Sequence, residues 1–215
     1  MKKLSLVVVL LTMAITTFAQ EKDVTKFLGI PVDGTKTEMI AKLKEKGFTS
    51  STLNKDVLEG EFNGYEVNVH VVTNNNKVYR IMVCDKNTMK VSSDIRIRFN
   101  KLCQQFQNNT KYITIQDYTI SEDEDITYNI KVKDKRYEAV YYQADLVKIK
   151  EKLLEKYSEE EISNPNEEIQ NVMFETIGNM CMHKPVWFMI SEYYGEYYIT
   201  MYYDNELNRA NGDDL

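Results

Sequence analysis

The sequence predicts an α+β fold: an antiparallel β meander and hairpins, with helices packed on one sheet face. Three features carry that expectation. Asn63-Gly64 lies between two alternating apolar runs, Thr35 and Glu38 stand at capping-box spacing, and residues 186–204 form a Tyr-rich ribbon around Gly195-Glu196. At 43% hydrophobic the 215-residue chain is too apolar for a disordered one, and 8 Gly with 3 Pro are too few for collagen-like or linker material. A net charge of −6, from 27 basic and 33 acidic residues, supplies no basic field to neutralise phosphates. Nucleic acid is therefore not expected as a partner.

The first element is a helix. Thr35 is the N-cap, Met39, Ile40 and Leu43 form its apolar face, and Gly47 ends it. Next, Val57–Phe62 and Tyr65–Val72 pair around Asn63-Gly64, a dipeptide that tolerates the positive φ angles of a type I′ turn. A two-residue loop sets Phe62 opposite Tyr65, Gly60 opposite Val67 and Leu58 opposite Val69, facing inward. The other side carries Glu61 opposite Glu66, Glu59 opposite Asn68 and Val57 opposite His70. Residues 73–77 turn the chain into Val78–Cys84, with Tyr79, Ile81 and Val83 expected inside.

A second helix, capped by Asp94, presents Ile95, Phe99, Leu102, Cys103 and Phe106 on one face and Arg96, Arg98, Asn100 and Gln104 on the other. Tyr112–Ile120 reads as an edge strand and the acidic run 121–125 as a loop. Strict alternation of Ile126, Tyr128, Ile130 and Val132 predicts a second hairpin, Ile126–Lys133 with Arg136–Gln143. Leu146, Ile149, Leu153 and Tyr157 mark a helix, and Ser158–Asn164 a polar connector. A further helix begins at Asn164-Pro165 with stripe Ile169, Val172, Met173, Ile177 and Met180. The last hairpin is Val186–Tyr194 with Tyr197–Asp204, closed by a type II′ turn at Gly195-Glu196 and followed by a frayed acidic tail. The domains are then a leader at 1–19 and two α+β halves, 20–108 and 109–215. Whether the halves share one sheet is left open.

The leader reading rests on Lys2 and Lys3, the apolar run Leu4–Phe18 and the small residues Thr17 and Ala19, which place cleavage before Gln20. The run is shorter than the roughly 20 residues that span a bilayer. No Cys follows the cut, so the expectation is a periplasmic or extracellular protein that is not lipid-anchored. In an oxidising compartment Cys84, Cys103 and Cys181 are an odd set, and a chain of this size builds a core without staples; all three read as buried small hydrophobes.

Phe27–Phe48 (FLGIPVDGTKTEMIAKLKEKGF) and Met201–Leu215 (MYYDNELNRANGDDL) resemble exported proteins of unassigned function common in Bacteroidetes. The resemblance covers most of the mature chain and implies export and an α+β fold, with no functional residues carried over. Gly34-Thr35, Glu38 and Leu43 also resemble, loosely, the first helix of small outer-membrane assembly lipoproteins, whose lipid-bearing Cys this sequence lacks.

Catalytic signatures are sparse. Of two histidines, His70 alternates outward on a strand, and His183 lies two residues from Cys181, a spacing that is no recognised nucleophile signature. No zinc ligand set, phosphate-cradling Gly loop or dinucleotide fingerprint is present, so neither metal nor cofactor is expected. Two alternatives remain. Glu59, Glu61 and Glu66 share one sheet face and could serve a carboxylate-based hydrolase. Asp204, Glu206, Asn208, Asn211, Asp213 and Asp214 offer oxygens to calcium, although Gly212 falls late and position twelve is Leu215, not Glu. The favoured candidate is an aromatic platform. Alternation places Phe188, Ile190, Tyr194, Tyr197, Ile199, Met201 and Tyr203 inside, with Glu192 as a misfit. It places Trp187, Met189, Tyr193, Tyr198 and Tyr202 outside, a composition suited to a glycan, a peptide or a second copy of the chain. The expected function is an exported, non-enzymatic binding or interaction module.

Overall fold

The computed structural model describes residues 23–210. Ten strands form two antiparallel sheets. A ribbon pairs β1 (Lys26–Phe27) with β2 (Ile30–Pro31). The main sheet holds β3 (Thr49–Ser50), β4 (Val57–Phe62), β5 (Tyr65–Asn74), β6 (Lys77–Asp85), β7 (Tyr112–Ile113), β8 (Glu138–Gln143), β9 (Pro185–Tyr193) and β10 (Glu196–Asp204). Its order is β3-β4-β5-β6-β10-β9-β8-β7, so the two halves of the chain do share one sheet, joined where β10 pairs β6. The helices are α1 (Lys36–Glu45), α2 (Ser92–Gln107), α3 (Ile126–Lys133), α4 (Leu146–Leu154), α5 (Glu159–Ser163) and α6 (Glu167–Cys181).

Local chemistry explains most of these boundaries. The Thr35 hydroxyl accepts from Glu38 N at 3.3 Å while Glu38 Oε2 accepts from Thr35 N at 2.9 Å, the reciprocal cap expected at α1. The β4–β5 register matches the expected one pair for pair, from Val57–His70 to Phe62–Tyr65. Gly60 is required there: a Cβ at that position would come within 2.6 Å of the Phe48 ring. Four two-residue turns, at 28–29, 63–64, 75–76 and 194–195, have positive φ at both central residues, which matches the strand twist.

The core lies between the sheet and helices α1 to α3. One aromatic group joins Phe27, Phe48, Phe62 and Tyr203; another stacks Phe106 on Tyr141 and Phe188, with Phe99 edge-on to Phe188. A smaller cluster of Ile149, Leu153 and Cys181 sits against Ile113 and Tyr142 at the β7–β8 corner.

Several expectations are corrected. Ile126–Lys133 is a helix, not a strand, because its ends are those of a helix. Asp125 accepts from Tyr128 N, Asp134 is left-handed, and Lys135 N reaches back to Asn129 O. Ile126 and Asn129 are buried at helical spacing, and Tyr128 and Val132 are exposed. Tyr79 is not inside: a bulge between Val72 and Thr73 shifts the register, and Val78 takes the core position. Asp94 does not cap α2, whose N-cap is Val91 without a side-chain bond; Asn166, not Asn164, caps α6. Arg98 points inward and is 3% exposed, paired with Asp85. The edge strand stops at Ile113, and the connector at 158–164 contains α5. The last turn is Tyr194-Gly195 and has the positive φ pair of type I′, so Tyr193 pairs Glu196 and Tyr194 is exposed. Asn205–Asn208 is no frayed tail. Asn205 Nδ2 donates to Val32 O, and Asn208 Nδ2 donates to Asp33 and to Val78 O.

Candidate functional site

The sheet has two unlike faces. On the inner face Leu58, Val69, Ile81, Val83, Ile199 and Phe188 are at most 3% exposed beneath the helices. On the outer face His70, Met82, Cys84, Trp187, Met189, Tyr198 and Tyr202 are all half-buried. That difference follows from strand alternation: even positions of β9 and odd positions of β10 turn inward, and the others outward.

All five platform residues lie on this outer face. Register sets Tyr202 between Met82 and Trp187, Thr200 opposite Met189, and Tyr198 opposite Ser191. Tyr193 is exposed at the hairpin tip, six residues along β9 from Trp187, or about 20 Å. Trp187 and Tyr202 stack with centroids 3.9 Å apart and planes 16° apart. Rings lying flat on strands about 4.8 Å apart could not approach so closely, so both stand off the sheet and lean on each other. One face of each ring is thus occupied by the other.

An ion pair anchors the stack. Arg80 Nε and Nη2 donate to Asp204 Oδ1 and Oδ2 at 2.6 and 2.7 Å, and Trp187 Nε1 donates to Oδ2 at 2.9 Å. The guanidinium carbon lies 4.8 Å from the Tyr202 centroid and 5.4 Å from that of Trp187. The hydrogen bonds to Asp204 push the Arg80 pKa up, against its own desolvation. Burial raises the hydroxyl pKa of Tyr198 and Tyr202, so both remain neutral donors.

No family model, curated protein or solved structure matches the chain. The site is therefore read from its own chemistry.

The other sequence-derived candidates separate. Glu61 does oppose Glu66, but Lys86 pairs with Glu59 at 2.8 Å and Asn87 donates to Glu66 at 3.3 Å. The carboxylates with displaced titration, Glu59 and Glu124 among them, are held down by hydrogen-bonded partners. A general acid near neutral pH requires the opposite shift. Cys181 is buried and burial raises its thiol pKa, while His183 Nε2 bonds the Asp23 carbonyl at 2.7 Å. Burial pushes Cys103 up to about 11 and also raises Cys84, which is half-buried on the outer face and not in the core as expected. Of the tail oxygens, Asn211, Asp213 and Asp214 lie outside the described residues; Asp204 is held by Arg80 and Trp187, and Glu206 by Arg209. Among the described residues no cluster of three metal-ligating side chains occurs, and no helix is long and apolar enough to cross a membrane.

Sequence reasoning missed the Arg80–Asp204 anchor. It needs β6 beside β10, a contact spanning 124 positions that no local pattern encodes. The available signal was an acid closing a strongly aromatic strand, a position that calls for a cation.

Proposed function

We propose that this protein is an exported, non-enzymatic binding module whose outer sheet face, centred on Trp187, Met189, Tyr198 and Tyr202, contacts a protein or peptide partner. The observation that carries the reading is the half-buried aromatic face, with Tyr193 exposed at its end, opposite a fully buried one. A peptide or protein surface fits better than a sugar ring, because Trp187 and Tyr202 already spend a ring face on each other. The Met189 thioether already accepts from Arg136 Nη2 at 3.8 Å and the Tyr198 hydroxyl bonds Ser191, so what this face offers a partner is its apolar and aromatic carbon surface. Export follows from the leader reading and is tested by N-terminal sequencing of the secreted form, expected to begin at Gln20.

A photo-cross-linker placed at Tyr193 in the producing cell tests the contact. A discrete adduct is expected that Met189→Glu and Tyr198→Glu each abolish while the far-ultraviolet circular dichroism stays that of the parent. No adduct, or one indifferent to both substitutions, overturns the reading.

A further inference from the structure

An apolar row crosses the outer face. Register carries it from β4 to β8 through Val57, His70, Met82, Tyr202, Trp187 and Val140, one residue on each of six adjacent strands. All six are half-buried, and the helices that pack on β5, β6, β9 and β10, α1 and α2, lie on the other side of the sheet. Strands about 4.8 Å apart make the row about 24 Å wide, and central strands of nine or ten residues run about 30 Å. In plan the face is therefore about 700 Å², close to the roughly 800 Å² that each partner gives a standard stable interface.

Charge narrows the occupant. Beside the row, Arg80 holds Asp204 at 2.6 Å, Arg136 holds Glu138 at 3.2 Å and Lys86 holds Glu59 at 2.8 Å. Glu61 and Glu66 have no ion-pair partner among the described residues, but they lie two rows away beside the β4–β5 turn. Burial lowers the His70 pKa, so its ring is neutral at pH 7. The row thus carries no excess of either sign. A foreign protein is selected by opposite charge, which this row does not offer. A patch that meets its own copy needs that neutrality, since a patch of one sign would repel itself.

Symmetry supplies a second reason. The His70 ring and the Tyr202 hydroxyl have no hydrogen bond among the described residues, and the two residues flank Met82 on either side. A twofold axis along β6 at Met82 turns β5 of one copy onto β10 of the other. It sets Met82 against the partner's Met82, His70 opposite the partner's Tyr202, and Val57 opposite the partner's Trp187. Each open hydroxyl then faces an open imidazole, and sheets packed about 10 Å apart bring such side chains into contact.

We infer that a second copy of the chain covers the outer face, in an isologous dimer whose twofold axis runs along β6 past Met82. This rests on the outer face being the contact surface proposed above, and it names the partner.

Sedimentation equilibrium of the purified chain tests it. A dimer is expected at micromolar concentration. Met82→Glu and Met82→Lys should each weaken it by at least about tenfold while keeping the parent's circular dichroism. Mixed together, the two variants should form a one-to-one heterodimer, because Glu and Lys then face each other at the axis. Acrylamide quenching of Trp187 in the unaltered chain should fall as protein concentration rises, a readout that needs no substitution. A monomer at every concentration overturns the inference. So does a dimer with unchanged Trp187 quenching, a pair of folded charge variants that dimerise like the parent, or a mixture that stays monomeric. A monomer whose Tyr193 adduct in the cell contains a different polypeptide overturns the second copy and leaves the contact face standing; a monomer without an adduct removes both.

Discussion

Each face of the sheet holds an Arg–Asp pair against an aromatic ring, and the two pairs are built differently. On the outer face Arg80 and Asp204 meet at 2.6 and 2.7 Å, with Trp187 as a third donor and 20% of the Arg80 side chain exposed. Beneath α2, Arg98 and Asp85 meet at 3.3 and 3.1 Å, with side chains 3% and 5% exposed. There the Tyr65 centroid lies 3.6 Å from the Arg98 guanidinium carbon, and Arg98 Nη1 has no hydrogen-bond partner. The outer pair reaches water and holds an aromatic stack in place. The inner pair has lost its hydration on both sides; besides each other, Arg98 has the Tyr65 ring and Asp85 accepts from Ile199 N at 3.4 Å. The same two residue types thus orient a surface in one place and carry a stability liability in the other.

The largest expected effect follows from breaking the inner pair. Asp85→Ala leaves a guanidinium uncompensated under α2 and should cost about 3–5 kcal/mol in urea unfolding. Replacing both partners, Arg98→Met with Asp85→Leu, should cost less than the single change, since no charge is stranded. If the double variant is the less stable of the two, the contrast drawn between the faces is wrong. Asp204→Asn on the outer face should cost about 1.5–3 kcal/mol, the range for hydrogen bonds to charged groups. It should also raise acrylamide quenching of Trp187, the only tryptophan. Unchanged quenching would mean that the ion pair does not position the stack. Thr35→Ala, remote from both pairs, should lose about 1 kcal/mol from the α1 cap and leave Trp187 quenching as it was.

The smallest effect is a pH dependence on the outer face. His70, beside Met82, has its pKa lowered, first by burial and then by the Lys36 charge. The unfolded chain therefore takes up the proton first as pH falls. Stability should be full above about pH 6.5, decline through that value, and level off below the folded-state pKa. Melting temperatures at pH 7.5 and 5.5 should differ less in His70→Gln than in the parent. An equal difference in both would place the titrating group elsewhere.

What the sequence disclosed was local. The β4–β5 register and the Thr35 cap depend on residues within a few positions of one another, and both came out as read. The ribbon at 186–204 shows why faces are more legible than partners. Its turn lies one residue earlier than expected, so Tyr198 faces Ser191 and not Tyr193. Each partner moves by two positions, parity survives, and the inner and outer sets stay intact apart from Tyr194 at the turn. Alternation misled at Ile126–Lys133, where a period of two coincided with helical caps, and the caps prevailed. Arg98 was placed outside by its charge, since nothing near it in sequence names Asp85 as a partner beneath the helix.

The position of β10 carries a consequence for how the molecule is made. It is the last strand of the described chain, yet it lies between β6 and β9 near the middle of the sheet. A ribosome releasing this polypeptide delivers β3 to β6 and β7 to β9 as two incomplete fragments, each with an open flank awaiting the same insert. The sheet therefore cannot be complete before the 196–204 segment has been made.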